Sequence, residues 1–252
     1  MPPQSIKQAV RRILNTLGVD VVRYREPPPP PPQNYTAIPP HSYLRYVPWG
    51  EDWIQRLYAE VSERTDCTLD RCYNLVRFFE SAIALPGHFA ECGSYRGGTG
   101  LLLARQLARR GIHDREIHLF DSFEGMPKEA TQDPSGHVEG DFGDVDFQDV
   151  LAALAPYPYV HLHRGFIPHT FDQVDQAMRF AFVHIDVDLY QSAYDCLEYF
   201  YSRMVPRGIM LFDNYGFYVY RDSEKRAVDE FFADKVEAPI VLGTSQCLVI
   251  KS

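Results

Sequence analysis

Two stretches in the second half of the chain end apolar runs on side chains that suit a metal ion. They are Phe182-Val-His184-Ile-Asp186-Val-Asp188-Leu-Tyr190 and Leu211-Phe-Asp213-Asn214-Tyr215. If the runs are neighbouring parallel strands, their carboxyl ends lie side by side, where open α/β sheets bind ligands. Asp186, Asp213 and Asn214 then offer two carboxylates and an amide oxygen around one point. That all-oxygen set suits a hard cation such as Mg²⁺, which keeps its other positions for water and substrate. Carboxylates so placed repel unless something positive lies between them. Two unrelated helix-capping aspartates are the weaker account. His184, inside the run, is expected to be a core histidine with its hydrogen bonds satisfied rather than a ligand.

A second chemical signal lies upstream. His88-Phe-Ala-Glu91-Cys-Gly93-Ser94-Tyr95-Arg96-Gly97-Gly98-Thr99-Gly100 runs from a strand pattern through glycines into Leu101-Leu-Leu-Ala104. Glycines there let backbone amides approach a ligand at a helix N-terminus. The spacing is Gly-x-x-x-Gly-Gly, so the Gly-x-Gly-x-x-Gly dinucleotide fingerprint is not met. Glu91, two places before the first glycine, would repel a pyrophosphate and suits an amino group or hydroxyl. Asp121 ends the next apolar run, where an acidic side chain accepts hydrogen bonds from ribose hydroxyls. Together these features imply a ligand with an adenosine-like ribose and no pyrophosphate at the turn.

The elements that must position these residues are legible as alternating patterns. Strands are expected at His88–Cys92, Glu116–Phe120, Tyr159–His163, Phe180–Ile185 and Gly208–Phe212, mostly apolar without clean alternation, as befits strands covered on both faces. Pro239–Leu242 and Gln246–Lys251, joined by Gly243-Thr244-Ser245, read as an antiparallel hairpin at the sheet edge. Helices between the strands complete a doubly wound, mostly parallel seven-stranded α/β sheet. Before it, Trp53, Leu57, Tyr58, Val61 and then Cys72, Leu75, Val76, Phe79, Ile83 recur at helical spacing. Gly125 to Asp146 forms a long acidic, glycine-bearing loop, of a length usual for an active-site lid.

The first 26 residues read as an amphipathic helix with Ser5 as N-cap and Ile6, Val10, Ile13 or Leu14, and Leu17 on one face. The preferred reading is an accessory helix that packs on the domain or on a dimer mate, so a homo-oligomer is expected. Pro27 to Pro32 is a polyproline II spacer, because proline fixes φ and donates no hydrogen bond. The organisation is therefore 1–50, N-terminal helix and proline-rich linker, followed by 51–252, the catalytic domain.

Composition narrows the partners. The net charge of −9 argues against a nucleic-acid partner, whose phosphates need a basic footprint. No apolar run approaches the roughly 18–20 residues of a membrane span. Five scattered cysteines, without a Cys-x-x-Cys pair, fit neither a zinc ribbon nor a disulfide framework, and point to a reduced, cytoplasmic protein.

Taken together, Glu91-Cys-Gly-Ser-Tyr-Arg-Gly-Gly98, Phe120-Asp-Ser-Phe-Glu-Gly-Met-Pro127, His184-Ile-Asp-Val-Asp-Leu-Tyr190 and Phe212-Asp-Asn-Tyr215 resemble the macrocin O-methyltransferase family. The resemblance covers about Thr68 to Ser252 and implies a class I methyltransferase, Rossmann-like fold. It also implies a metal-dependent enzyme that moves a methyl group from S-adenosylmethionine to sugar hydroxyls. In that light Glu91, Gly93 and Ser94 hold the methionine part of the cofactor, Asp121 the ribose, and Gly165-Phe166 lie near the adenine. Gly97, Ser122 and Asp186 complete the expected cofactor set, and Asp186, Asp213 and Asn214 bind Mg²⁺. The Asp213-Asn214 pair departs from the Asp-Asp frequent in the family and is closer to catechol-type methyltransferases.

The expected reaction is methyl transfer to a hydroxyl of a small-molecule acceptor, a sugar or a phenol, with Asp186 or Asp188 accepting the proton. The acidic loop disfavours an anionic acceptor. A nicotinamide-dependent oxidoreductase on the same sheet, and a non-catalytic nucleotide-binding module, are the competing readings.

Overall fold

The computed structural model describes residues 46–252. The N-terminal helix, the proline run and the oligomer contact expected of them lie outside the described residues. The described chain opens with α1 (Asp52–Ala59) and α2 (Leu69–Ala82). It then alternates β1 (His88–Cys92), α3 (Gly98–Arg109), β2 (Ile117–Asp121), α4 (Phe147–Leu154), β3 (Val160–Arg164), β4 (Phe180–Ile185), α5 (Tyr190–Tyr201) and β5 (Met204–Phe212). It closes with α6 (Glu224–Phe232), β6 (Ile240–Val241) and β7 (Cys247–Ile250). Among the described residues no helix is long and apolar enough to cross a membrane.

One seven-stranded sheet has the order β3-β2-β1-β4-β5-β7-β6. The first five strands pair in parallel, while β7 runs antiparallel to both β5 and β6. The doubly wound sheet with its C-terminal hairpin is therefore as expected. Its strands lack clean alternation because both faces are covered. In β1, Phe89 enters the core under α1–α4, whereas Ala90 and Cys92 enter the core under α5 and α6. Phe79 of α2 is fully buried against Phe89 and Phe182, at 4.7 and 5.5 Å between rings. Each such side chain contributes about 2–3 kcal/mol of burial.

β1 and β4 have their expected bounds, while the other expected strands shift at one or both ends by a residue or more. β2 extends through Asp121, which is thus the last residue of a strand. β5 begins at Met204, four residues earlier than expected. Pro206 and Gly208 broke the strand signal there, and Arg207 at φ 68° marks the irregularity that β5 accommodates against β4.

Register is what makes the site. Leu119, Glu91, His184 and Leu211 align across β2, β1, β4 and β5, and Phe120, Cys92, Ile185 and Phe212 form the next row. The residues immediately beyond are Asp121, Gly93, Asp186 and Asp213. They emerge together at the carboxyl edge, astride the β1/β4 switch in strand order, on the face covered by α1–α4. On the opposite face, β1 to β3 carry a second polar group: His88, His118, His161 and His163, packed on Phe120 and Phe180.

Candidate active site

The glycine turn after β1 is shaped by close backbone approach. Gly93 has φ 86°, and a Cβ there would lie 1.8 Å from the carbonyl oxygen of Asp186. Only glycine lets the β1 and β4 tips meet so closely. Gly97, at φ 78°, makes the left-handed turn from which α3 starts. Asp121 clamps this turn, accepting from the Tyr95 amide at 2.8 Å and the Phe123 amide at 2.7 Å. Burial raises its pKa, and these amides work against the rise. Gly165 is brought to Asp121 by an amide–carbonyl bond of 2.9 Å, and Phe166 is exposed beside it. Ser122 uses its hydroxyl on its own turn, donating to the Gly125 carbonyl at 2.8 Å.

Glu91 and Ser94 are buried and incompletely satisfied. Glu91 Oε1 meets His184 Nδ1 at 2.9 Å, but Glu91 Oε2 and the Ser94 hydroxyl have no partner within the protein. Such buried orphans are uncommon and call for a ligand group. His184 differs from expectation. It is fully buried and satisfied only at Nδ1, while Nε2 lies 3.7 Å from Asp213 Oδ1 without a hydrogen bond.

His184, Asp186 and Asp213 present ligand atoms within 4.8 Å of one another. Asp213 is fully buried and paired with Arg71, which reaches it from α2. Gln246 Nε2 donates to it at 2.8 Å. Burial would raise the Asp213 pKa, but the His184 ring and the Arg71 guanidinium outweigh it and hold the carboxyl below its usual range. Asp186 goes the other way. Burial first, then the Asp213 and Asp188 carboxylates, push its pKa well up, which is the strain a cation would relieve. Asn214 turns its Nδ2 toward Asp186 Oδ1, at 2.9 Å, and toward Asp188 Oδ1. To offer an oxygen to a metal, as the sequence suggested, its amide must turn over.

Asp188 lies beyond the strand, which ends at Ile185, and its φ of 61° swings the carboxylate to the same side as Asp186. Asn214, His137 and Tyr220 surround it. Glu224 packs behind, its Oε1 accepting from the Asn214 backbone N–H at 3.1 Å and its Oε2 unpartnered.

The Gly125–Asp146 loop is docked at the site in three places. Asp144 takes Tyr95 and Arg96 of the glycine turn, Asp133 accepts from the first amide of α5 at 2.8 Å, and His137 stands against Asp188 and Tyr220. Sequence reasoning missed Arg71, His137, Tyr220, Glu224 and Gln246. His137 had a usable signal, as the one histidine in an acidic loop. Arg71 had none, since it sits beside an apolar helix stripe and reads as solvated.

Residues 44–245 match the family model described as macrocin-O-methyltransferase (TylF). The chain belongs to this family. As a member of the macrocin-O-methyltransferase family it is an O-methyltransferase, and the oxidoreductase and non-catalytic readings fall away. One relative is the 8-demethyl-8-(2,3-dimethoxy-alpha-L-rhamnosyl)-tetracenomycin-C 4'-O-methyltransferase of Streptomyces olivaceus, 29% identical over 69% of each chain. Another is the mycinamicin III 3''-O-methyltransferase of Micromonospora griseorubida, 29% identical over 58% of this chain and 63% of its own. The fold is shared with the O-methyltransferase NovP, at TM-score 0.65, 23% identity, and 75% and 83% coverage of the two chains. It is shared too with a calicheamicin methyltransferase, at TM-score 0.60, 15% identity, and 86% and 98% coverage.

Proposed function

We propose that this family member transfers the methyl group of S-adenosylmethionine to a hydroxyl of a sugar-bearing natural product, with Mg²⁺ at the β4 and β5 tips. Residues 51–252 are read as the catalytic domain, with 1–50 accessory to it. The observation that carries this reading is the row of Asp121, Gly93, Asp186 and Asp213, with the orphaned Glu91 Oε2 directly beneath.

The residues fit both groups. An ammonium would satisfy Glu91 Oε2, and a ribose diol suits the remaining lone pairs of Asp121. Asp186, Asp213 and the turned-over Asn214 amide supply hard oxygen donors, and the raised pKa of Asp186 favours a cation among them. When bound, S-adenosylmethionine supplies an electrophilic methyl on a good leaving group, and Mg²⁺ supplies charge that acidifies a hydroxyl. The chain itself must hold the acceptor, accept its proton and keep water out. Asp188, which the metal assignment leaves free, accepts the proton, and the docked loop covers the site.

The acidic loop disfavours anionic acceptors, and the rhamnosyl group in one relative's name supports a sugar. The five cysteines are free and buried, which suits a reducing cytoplasm.

Calorimetry with S-adenosylmethionine and with NAD, then methyl transfer to a rhamnoside and to a catechol with and without chelator, tests the reading. Binding of S-adenosylmethionine alone, methylation of the rhamnoside and loss of turnover on chelation, restored by Mg²⁺, are expected. Preference for the catechol would overturn the sugar assignment, and indifference to chelator the metal assignment. Asp186→Ala should abolish turnover and leave cofactor affinity within a few-fold.

A further inference from the structure

The loop residue His137 occupies a position the reaction as described does not use. Its Nδ1 lies 3.2 Å from Asp141 Oδ2, and the same carboxylate oxygen accepts the Val138 amide at 3.1 Å. A carboxylate only accepts, so Nδ1 carries the proton and the bond fixes the plane of the ring. The opposite nitrogen, Nε2, is then aimed at 3.2 Å from the Tyr220 hydroxyl and 3.5 Å from Asp188 Oδ2. The ring is stacked on Tyr220, with centroids 5.9 Å apart, and Phe142 packs against it at 5.4 Å. His137 and Asp188 side chains are only 11% and 9% exposed, so this contact is made away from bulk water. Among the described residues, the contacts of His137 join the loop directly to the carboxylate proposed as proton acceptor.

We infer that His137, backed by Asp141, is a positioning residue for methyl transfer. By accepting the Tyr220 hydroxyl at Nε2 and packing beside Asp188 Oδ2, it confines the Asp188 carboxylate, and it latches the loop over the acceptor. The inference rests on the proposed function only in placing the acceptor hydroxyl at Asp188. A carboxylate free to swing by about 1 Å loses on the order of 100-fold in rate, because proton acceptance depends on alignment.

The test compares His137→Ala, His137→Gln, Asp141→Asn and the His137→Ala/Asp141→Asn double variant. Three readouts are used: kcat and KM for the acceptor, cofactor affinity by calorimetry, and amide hydrogen exchange across residues 125–146 without acceptor. His137→Ala is expected to lower kcat about 10–100-fold, with cofactor affinity unchanged and loop amides exchanging at least about tenfold faster. His137→Gln, which keeps both a donor and an acceptor, should recover most of the kcat. Asp141→Asn should lose less, and the double variant no more than His137→Ala alone, because the pair acts as one unit. A His137→Ala enzyme within two-fold of the parent overturns the inference. So does a fall in cofactor affinity that accounts for the whole loss, since that reports a merely structural role. The exchange measurement needs no acceptor, so failure of the latch is distinguishable from failure of the sugar assignment.

Discussion

Two buried polar clusters share this sheet and are built on opposite principles. On β2 and β3, His118 Nδ1 meets His163 Nε2 at 2.9 Å, His118 Nε2 meets Glu116 Oε2 at 3.0 Å, and His163 Nδ1 meets Gln173 Oε1 at 3.2 Å. With the Gln173 amide turned to donate, each of these ring nitrogens finds a partner inside the protein while both rings stay neutral, so the cluster needs nothing from outside. At the strand tips, Glu91, Asp186, Asp188, Asp213 and Glu224 converge, with Arg71, His184 and the loop's His137 as the cationic or ionisable neighbours. Glu91 Oε2, Ser94 Oγ, His184 Nε2 and Glu224 Oε2 have no partner in the protein. Polar burial that satisfies itself serves the fold, whereas polar burial left unsatisfied, with carboxylate pKa values driven apart, is the signature of a ligand site.

The sharpest break in this contrast is at Asp213. Removing it in Asp213→Ala leaves the Arg71 guanidinium, 11% exposed, without its carboxylate. Breaking a buried pair from one side costs about 3–5 kcal/mol, so urea denaturation should show a loss of that order. A loss under about 1 kcal/mol would mean that Arg71 is not held by Asp213 in solution. Asp186→Asn should change stability in the opposite direction, although it sits in the same cluster. Its carboxylate is opposed by burial and by Asp213 and Asp188, so neutralising it removes repulsion. The metal-free variant should melt a few degrees higher than the parent, by roughly 1 kcal/mol. Adding Mg²⁺ should then raise the melting temperature of the parent and not of the variant, because only a state that binds the ion gains from it. Equal responses to Mg²⁺ would move the ion elsewhere.

The fold and the row of acidic residues were legible because each rests on local pattern. Apolar runs at strand length and the glycine turn after Glu91 identify β1 to β5, and a carboxylate just past the runs of β2, β4 and β5 identifies those tips. What was hidden depends on register and on partners distant in sequence. Arg71 reaches Asp213 across 142 positions, and Gln246 reaches it from just before β7. Nothing near either residue announces that contact. The orientation of the Asn214 amide and the one-sided satisfaction of His184 are also tertiary outcomes, set by which neighbour arrives first at each atom. The first half of β5 was hidden for a local reason, since Pro206 and Gly208 are strand breakers that tolerate an irregular edge register.

The smallest predicted effect tests the self-satisfied cluster. Burial, then the adjacent His163, His161 and His88 rings, push the His118 pKa from 6.5 down to about 3. Burial pushes His163 down as well. Below pH 6.5 the unfolded chain therefore binds protons that the folded chain refuses, and stability falls as the pH drops toward the folded value. One such ring gives a slope of about 1.4 kcal/mol per pH unit at most. Asp213, held low, loses stability in the same direction, while Asp186 and Glu224, held high, gain it, so the parent's slope mixes both clusters. His118→Phe keeps the ring volume against Phe180 and removes only the titrating nitrogen pair. Urea denaturation between pH 6 and pH 4 should then show a slope shallower by about 1 kcal/mol per unit. An unchanged slope would mean that His118 is already protonated in the fold. The histidine cluster would then be a charged site like the strand tips and not their opposite.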